Sequence, residues 1–255
     1  MKNFQDKAFF YTHANLFSLR ILFENLAPKP ILNQFYRITN PDIADRKAYL
    51  PFFLPWRSDR DFISRVDEVR ARTLLNTEAL WTLYIYTQQC LHVSGDFIEA
   101  GVYRGGTAKF LKNLLKNASD KTLHLFDTFS GMPNADEIAD FHKAGDFSDT
   151  DLSCIAEWVG DEKVCYYPGL MENTLADIQG KTFAFAHIDV DLKSSVETCC
   201  KYIYPRMSKG GIMIFDDYGY PTCPGARAAV DNFFCDKVER PLALAHGQAI
   251  VMKIS

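Results

Sequence analysis

From Gly95 onward the chain repeats one pattern: a short apolar run, then a segment of helical period, with several runs closing on glycine or aspartate. That alternation is the mark of βαβ units and a mainly parallel sheet. The runs Asp96 to Glu99, Thr122 to Phe126, Val164 to Tyr167, Thr182 to Val190 and Gly211 to Phe215 read as strands. Leu242 to Ala245 and Ala249 to Ile254 read as two more, hinged at His246-Gly247-Gln248. Between them, Thr107 to Asn117 carries Ala108, Leu111, Leu114 and Leu115 on one face, and Ser194 to Met207 carries Val196, Ile203 and Tyr204. Both are expected helices. Helical patterns also start at Asp61 and after Asn76-Thr77-Glu78 and lead into the sheet. The expected architecture is an α/β fold with a seven-stranded, mainly parallel, doubly wound sheet. Residues 61–255 form it, behind an N-terminal helical cap or lid at 1–60 interrupted by Pro28, Pro30, Pro41, Pro51 and Pro55.

Composition narrows the function classes. A net charge of −4 with no long basic run leaves nucleic acid without an electrostatic footprint. The seven cysteines are odd in number and lack CxxC spacing, which argues for free thiols over a disulfide framework or a zinc site. No stretch is apolar and long enough for a membrane span, and no signal-peptide h-region is evident, so a cytoplasmic location is expected.

Chemistry concentrates at strand ends. The first strand closes on Glu99-Ala100-Gly101-Val102-Tyr103-Arg104-Gly105-Gly106-Thr107 and turns into a helix, the cofactor corner of a doubly wound fold. Glycine there is also what any tight turn needs. The bulky Tyr103-Arg104 pair would crowd a pyrophosphate, whereas S-adenosylmethionine has none. Glu99 and the turn amides suit its methionine end, and Asp127, closing the second strand, suits ribose hydroxyls or simply a strand-end turn.

Two neighbouring strands end in Asp189-Val190-Asp191 and Asp216-Asp217, gathering carboxylates at one sheet edge. The nearest cation in sequence, Lys193, can balance only one of them. Such a group suits a hard divalent ion, Mg²⁺ above all, although solvated strand-end acids with raised pKa values are the plainer alternative. His187 shares the Asp189 face by alternation but sits deeper, as a hydrogen-bonded core histidine would. The polar segment between Met132 and Asp149, with His142, is either a substrate lid or an ordinary loop.

Four ordered motifs then resemble one family. They are Phe97 to Gly106, Phe126 to Pro133, His187-Ile188-Asp189-Val190-Asp191-Leu192, and Gly210 to Gly219, and they are similar to those of the macrocin O-methyltransferases (TylF, MycF and NovP). The resemblance spans residues 70 to 235. It implies a Rossmann-like class I methyltransferase fold, S-adenosylmethionine and Mg²⁺ as cofactors, and methylation of a hydroxyl on a sugar or glycosylated small molecule. By the same resemblance Asp189, Asp216 and Asp217 match the metal ligands and Asp191 the general base; apart from the resemblance, His142 is the next candidate for the base. The expected donor-binding set is Glu99, Gly101, Tyr103, Arg104, Gly105, Gly106, Thr107, Asp127, Ser130 and Asp189. Lys193 stands where the family usually has tyrosine, which puts the usual acceptor in question. A catechol-type O-methyltransferase and a non-catalytic ligand-binding module of the same fold are the rival readings. The expected partners are a small saccharide or glycoside and further copies of the chain, with neither nucleic acid nor membrane.

Overall fold

The computed structural model describes residues 54–133 and 140–255, with residues 27, 28, 30–32 and 34. The chain divides into two compact units, Met1–Leu54 and Pro55–Ser255. The expected cap at 1–60 therefore lies almost wholly outside the described residues, and the sheet belongs to the second unit.

Two helices precede the sheet, α1 (Arg60–Val69) and α2 (Thr77–Cys90). Each starts on a side-chain cap: Asp59 accepts from the Phe62 amide and Asn76 from the Ala79 amide, satisfying N–H groups that have no partner within the helix. The sheet then builds from β1 (Asp96–Ala100), β2 (Leu123–Asp127), β3 (Val164–Pro168), β4 (Phe183–Ile188), β5 (Met207–Phe215), β6 (Leu242–Ala243) and β7 (Ala249–Met252). The crossovers carry α3 (Gly106–Leu114), α4 (Leu152–Val159), the single turn α5 (Met171–Thr174), α6 (Lys193–Ile203) and α7 (Pro224–Phe234).

Strand order is β3-β2-β1-β4-β5-β7-β6. β1 to β5 pair in parallel, and β7 runs antiparallel to both β5 and β6, so the expected seven strands and mainly parallel sheet are present. Every residue of β4 is buried, as befits a central parallel strand covered on both faces. Phe97, Phe110 and Phe185 pack on the side of α1 to α4, while Phe126, Ile188 and Phe215 pack on the side of α6 and α7. At roughly 1.5–3 kcal/mol for each fully buried side chain, these two layers hold the sheet rigid beneath the site. All seven cysteines are free thiols. Among the described residues no helix is long and apolar enough to cross a membrane.

Several boundaries differ from those expected on sequence, with the Thr107–Asn117 helix observed at Gly106–Leu114 and the last two strands shortened to Leu242–Ala243 and Ala249–Met252, and three further differences have a visible cause. β4 stops at Ile188 rather than Val190, because the chain bends at Asp189 to cross Gly101. β5 begins at Met207, before the glycines that mark its start in the sequence pattern. α6 ends at Ile203, and Pro205 falls in a separate turn of 3-10 helix.

Candidate functional site

The strand order reverses between β1 and β4, and beyond the carboxyl ends of these strands lies a cavity of about 310 Å³. This is where open α/β sheets bind ligands, and the volume falls in the range of small-molecule sites. Gly101 makes the floor possible. Its φ of +88° suits glycine alone, and a Cβ there would stand 1.8 Å from the Asp189 carbonyl oxygen. The two strand ends are thereby pressed together, with the Asp189 amide donating to the Ala100 carbonyl at 2.8 Å.

Asp189 follows β4, and Asp216 and Asp217 open a short 3-10 turn directly after β5. One carboxylate oxygen from each lies within 4.8 Å of the others. Burial, with Asp216 alongside, pushes the Asp189 carboxyl well above the usual carboxylate range. Burial, with Asp191 and Asp189 as neighbours, does the same to Asp217. Crowded, buried carboxylates of this kind ionise cheaply only when a cation joins them, and an all-oxygen donor set matches a hard divalent ion such as Mg²⁺.

At the start of α6 the Lys193 backbone amide donates to Asp140, and a partial counter-charge lies directly under the acids. It is His187, fully buried beneath the floor. Burial alone would lower its pKa, but Asp216 and Glu99 on either side raise it to about 10. Its Nδ1 lies 3.1 Å from Glu99 and its Nε2 3.7 Å from Asp216. Two histidines, His187 and His142, stand among five carboxyls, Glu99, Asp189, Asp191, Asp216 and Asp217, so acidic groups are in excess at the site.

Asp191 sits at φ 55° inside a three-residue turn closed by the Leu192 amide on the Val190 carbonyl. Its own amide donates to Asp217 at 2.8 Å, which fixes the turn against the acidic group. Backbone strain of this sort costs on the order of 1–3 kcal/mol and marks sites where direction matters more than stability. The Asp191 carboxyl faces His142 at 3.4 Å, so the two residues considered for proton transfer are neighbours.

At the other end of the cavity, Asp127 takes hydrogen bonds from the amides of Val102, Tyr103 and Phe129 at 2.7, 3.0 and 2.7 Å. It organises the glycine corner as well as facing the cavity. Of the residues expected to bind a cofactor, Gly101, Tyr103, Thr107, Asp127 and Asp189 line the cavity. Glu99 lies just under it, with Oε2 buried and unpartnered, the kind of orphaned acceptor that a ligand's ammonium group or a water could satisfy. Arg104 points instead to Asp149, Gly105 and Gly106 are packed under α4 and residues 72–73, and Ser130 is exposed outside the lining.

Other contributors carry no motif that singles them out in the sequence. Residues 72–75, between α1 and α2, wall the cavity, and Tyr220 and Cys223 close it beyond β5. Gln248, wholly buried at the start of β7, donates to Asp216 at 2.6 Å and accepts from His246 at 3.0 Å. A polar residue opening an apolar strand is the one available signal, and in the sequence it reads as part of a hinge.

A glycine corner, a buried oxygen-donor group and this strand order together define the Rossmann-like class I methyltransferase fold. Solved structures agree: the O-methyltransferase NovP superposes with a TM-score of 0.62 at 24% identity, covering 71% of this chain and 82% of that one. A family model described as Macrocin-O-methyltransferase (TylF) matches residues 84–252, and the chain belongs to that family. Its sequence is 31% identical over 156 residues to the demethyldecarbamoylnovobiocin O-methyltransferase of Streptomyces niveus, covering 56% of this chain and 59% of the relative. It is 28% identical over 181 residues to the mycinamicin III 3''-O-methyltransferase of Micromonospora griseorubida, covering 64% and 70% respectively. The chain thus spans less than two thirds of the novobiocin relative's length.

Proposed function

We propose that this chain is an S-adenosylmethionine-dependent O-methyltransferase that methylates a hydroxyl of a saccharide or glycoside with the help of a divalent cation, Mg²⁺ by preference. One observation carries the reading: Asp189, Asp216 and Asp217 converge on the cavity that also receives the Gly101–Asp127 corner. The relatives named for methylation of novobiocin and mycinamicin precursors support the choice of a glycoside acceptor over a catechol.

When bound, S-adenosylmethionine supplies the methyl group and the cation supplies positive charge that eases loss of the acceptor's proton. The chain's own residues do the rest. Asp189, Asp216 and Asp217 would hold the cation, and Gln248 fixes the orientation of Asp216. Gly101, Thr107 and Asp127 seat the donor, with Glu99 beneath its amino acid end. Asp191 accepts the acceptor proton at its carboxylate. Burial raises that carboxyl's proton affinity while His142 opposes the rise, bringing a weak base closer to a useful range. Residues 72–75, with His142 and Phe147, wall the cavity.

The test is release of S-adenosylhomocysteine from a panel of glycosides, nucleotide sugars and catechols, with and without EDTA. Turnover of a saccharide that EDTA abolishes and Mg²⁺ restores is expected. Full turnover in excess EDTA would remove the metal from the mechanism, and turnover of catechols alone would remove the saccharide.

A further inference from the structure

Next to the oxygen-donor group stands a second set of ligands with a different chemical character. His142 Nε2 and Cys223 Sγ each lie 3.4 Å from Asp191 Oδ1. One ligand atom from each of these three residues lies within 4.8 Å of the other two. Zinc bonds of about 2.0–2.1 Å to nitrogen or oxygen and about 2.3 Å to sulfur, opened to a tetrahedral angle, require ligand atoms roughly 3.3–3.6 Å apart. Both contacts to Asp191 already have that spacing, so closing the site needs only a small movement of Cys223 and His142 toward each other.

The surroundings of His142 are those of a metal ligand. Its Nδ1 faces Asp146 at 3.4 Å, and Asp146 is itself held by the Lys143 amide at 2.9 Å. A carboxylate behind one ring nitrogen selects the Nδ1–H tautomer and turns the Nε2 lone pair forward. In front of that lone pair is a carboxylate oxygen, so two acceptors face each other across a gap that only a proton or a cation can occupy. All three side chains border the cavity, which leaves a further coordination position open on that side. Imidazole, thiolate and one carboxylate favour Zn²⁺ over Mg²⁺, which prefers oxygen alone.

We propose that His142, Asp191 and Cys223 form a zinc-binding site, separate from Asp189, Asp216 and Asp217, and that Zn²⁺ bound there inhibits the enzyme. On binding, the Cys223 thiol gives its proton to solvent, while His142 ligates as the neutral imidazole and Asp191 as the carboxylate. Inhibition rests on the reading of Asp191 as the proton acceptor, because a zinc ion would occupy the carboxylate that reaction needs. Binding does not depend on that reading.

The two parts are tested separately on the full chain in excess Mg²⁺. Co²⁺, a spectroscopic stand-in for zinc, should give a near-ultraviolet thiolate-to-cobalt charge-transfer band at one equivalent, and Zn²⁺ should displace it. The band should vanish in Cys223→Ser and persist in Asp216→Ala. Asp146→Asn lies on an exposed loop away from the core and should weaken Co²⁺ binding by about ten- to a hundred-fold. Absence of the band in the wild type, an unchanged band in Cys223→Ser, or unchanged affinity in Asp146→Asn overturns the site. An unchanged band would assign the thiolate to exposed Cys154, Cys165 or Cys235. Since no methyl donor or acceptor is present, these spectra stand or fall independently of the methyl-transfer reading. In turnover, Zn²⁺ should slow the wild type and lose that effect in Cys223→Ser, and a wild type that binds zinc without slowing refutes the inhibitory role.

Discussion

Gly101 and Gly145 share nearly the same φ, +88° and +87°, but only one of them is crowded. A Cβ on Gly145 meets nothing within 4 Å, whereas on Gly101 it collides with the Asp189 carbonyl. Gly145→Ala should therefore cost only the left-handed backbone penalty of about 1–2 kcal/mol, and Gly101→Ala about 2–5 kcal/mol in all. Urea unfolding of the two variants measures the difference, and equal losses would mean that the strand crossing carries no constraint. At Asp191 the expectation concerns rate rather than stability. Asp191→Asn keeps the shape of the side chain and removes the proton acceptor, so kcat should fall by about 10²-fold or more. Calorimetric binding of S-adenosylhomocysteine and Mg²⁺ should survive. Near-normal kcat would move the proton to another group, with His142 the adjacent choice.

Elements bring together what single residues cannot. Asp216 after β5 is held by Gln248 at the start of β7, Gln248 by His246, and His246 lies 3.2 Å from Thr82 on α2. This chain of contacts orients one carboxylate of the acidic group from behind. Gln248→Leu should lower Mg²⁺ affinity by about ten- to a hundred-fold and leave S-adenosylhomocysteine affinity unchanged, as read by titration calorimetry. Equal weakening of both ligands would indicate general disruption instead. The relay also marks the limit of what sequence can reveal. β1, β2, β4 and β5 are legible because apolar runs end at Glu99, Asp127, Asp189 and Asp216, and a parallel sheet aligns such ends by topology alone. Thr82, His246 and Gln248 come from distant parts of the chain, and no period or motif connects them. The same limit explains the counter-charge: Lys193 is near in sequence, but β4 alternation turns His187 inward under the acids. The crossing at Gly101, which ends β4 early, is likewise invisible without the pairing of β1 with β4.

In the second unit, crossover helices link the parallel strands, and β7 with β6 forms the antiparallel edge of the sheet. Glu239 ties this edge down. It accepts from the Tyr204 hydroxyl at 2.7 Å, from the amides of Ile254 and Ser255 at 3.1 and 3.3 Å, and from the Ser255 hydroxyl at 3.0 Å. Burial would raise its pKa, but the Tyr204 hydroxyl and the Ile254 amide hold the carboxyl down at about 2, against an ordinary value of 4.5. A carboxyl depressed in the folded state binds its proton more tightly once unfolded. Its stabilisation is complete above about pH 4.5 and is lost as the pH falls toward 2. Glu239→Gln should thus be less stable than the wild type at pH 7, with the gap narrowing steadily between pH 4.5 and the acid limit. Urea midpoints at pH 7, 4 and 3 would measure this. A gap of constant size across that range would show that Glu239 acts through packing and neutral hydrogen bonds, and that the edge is held by something other than its charge.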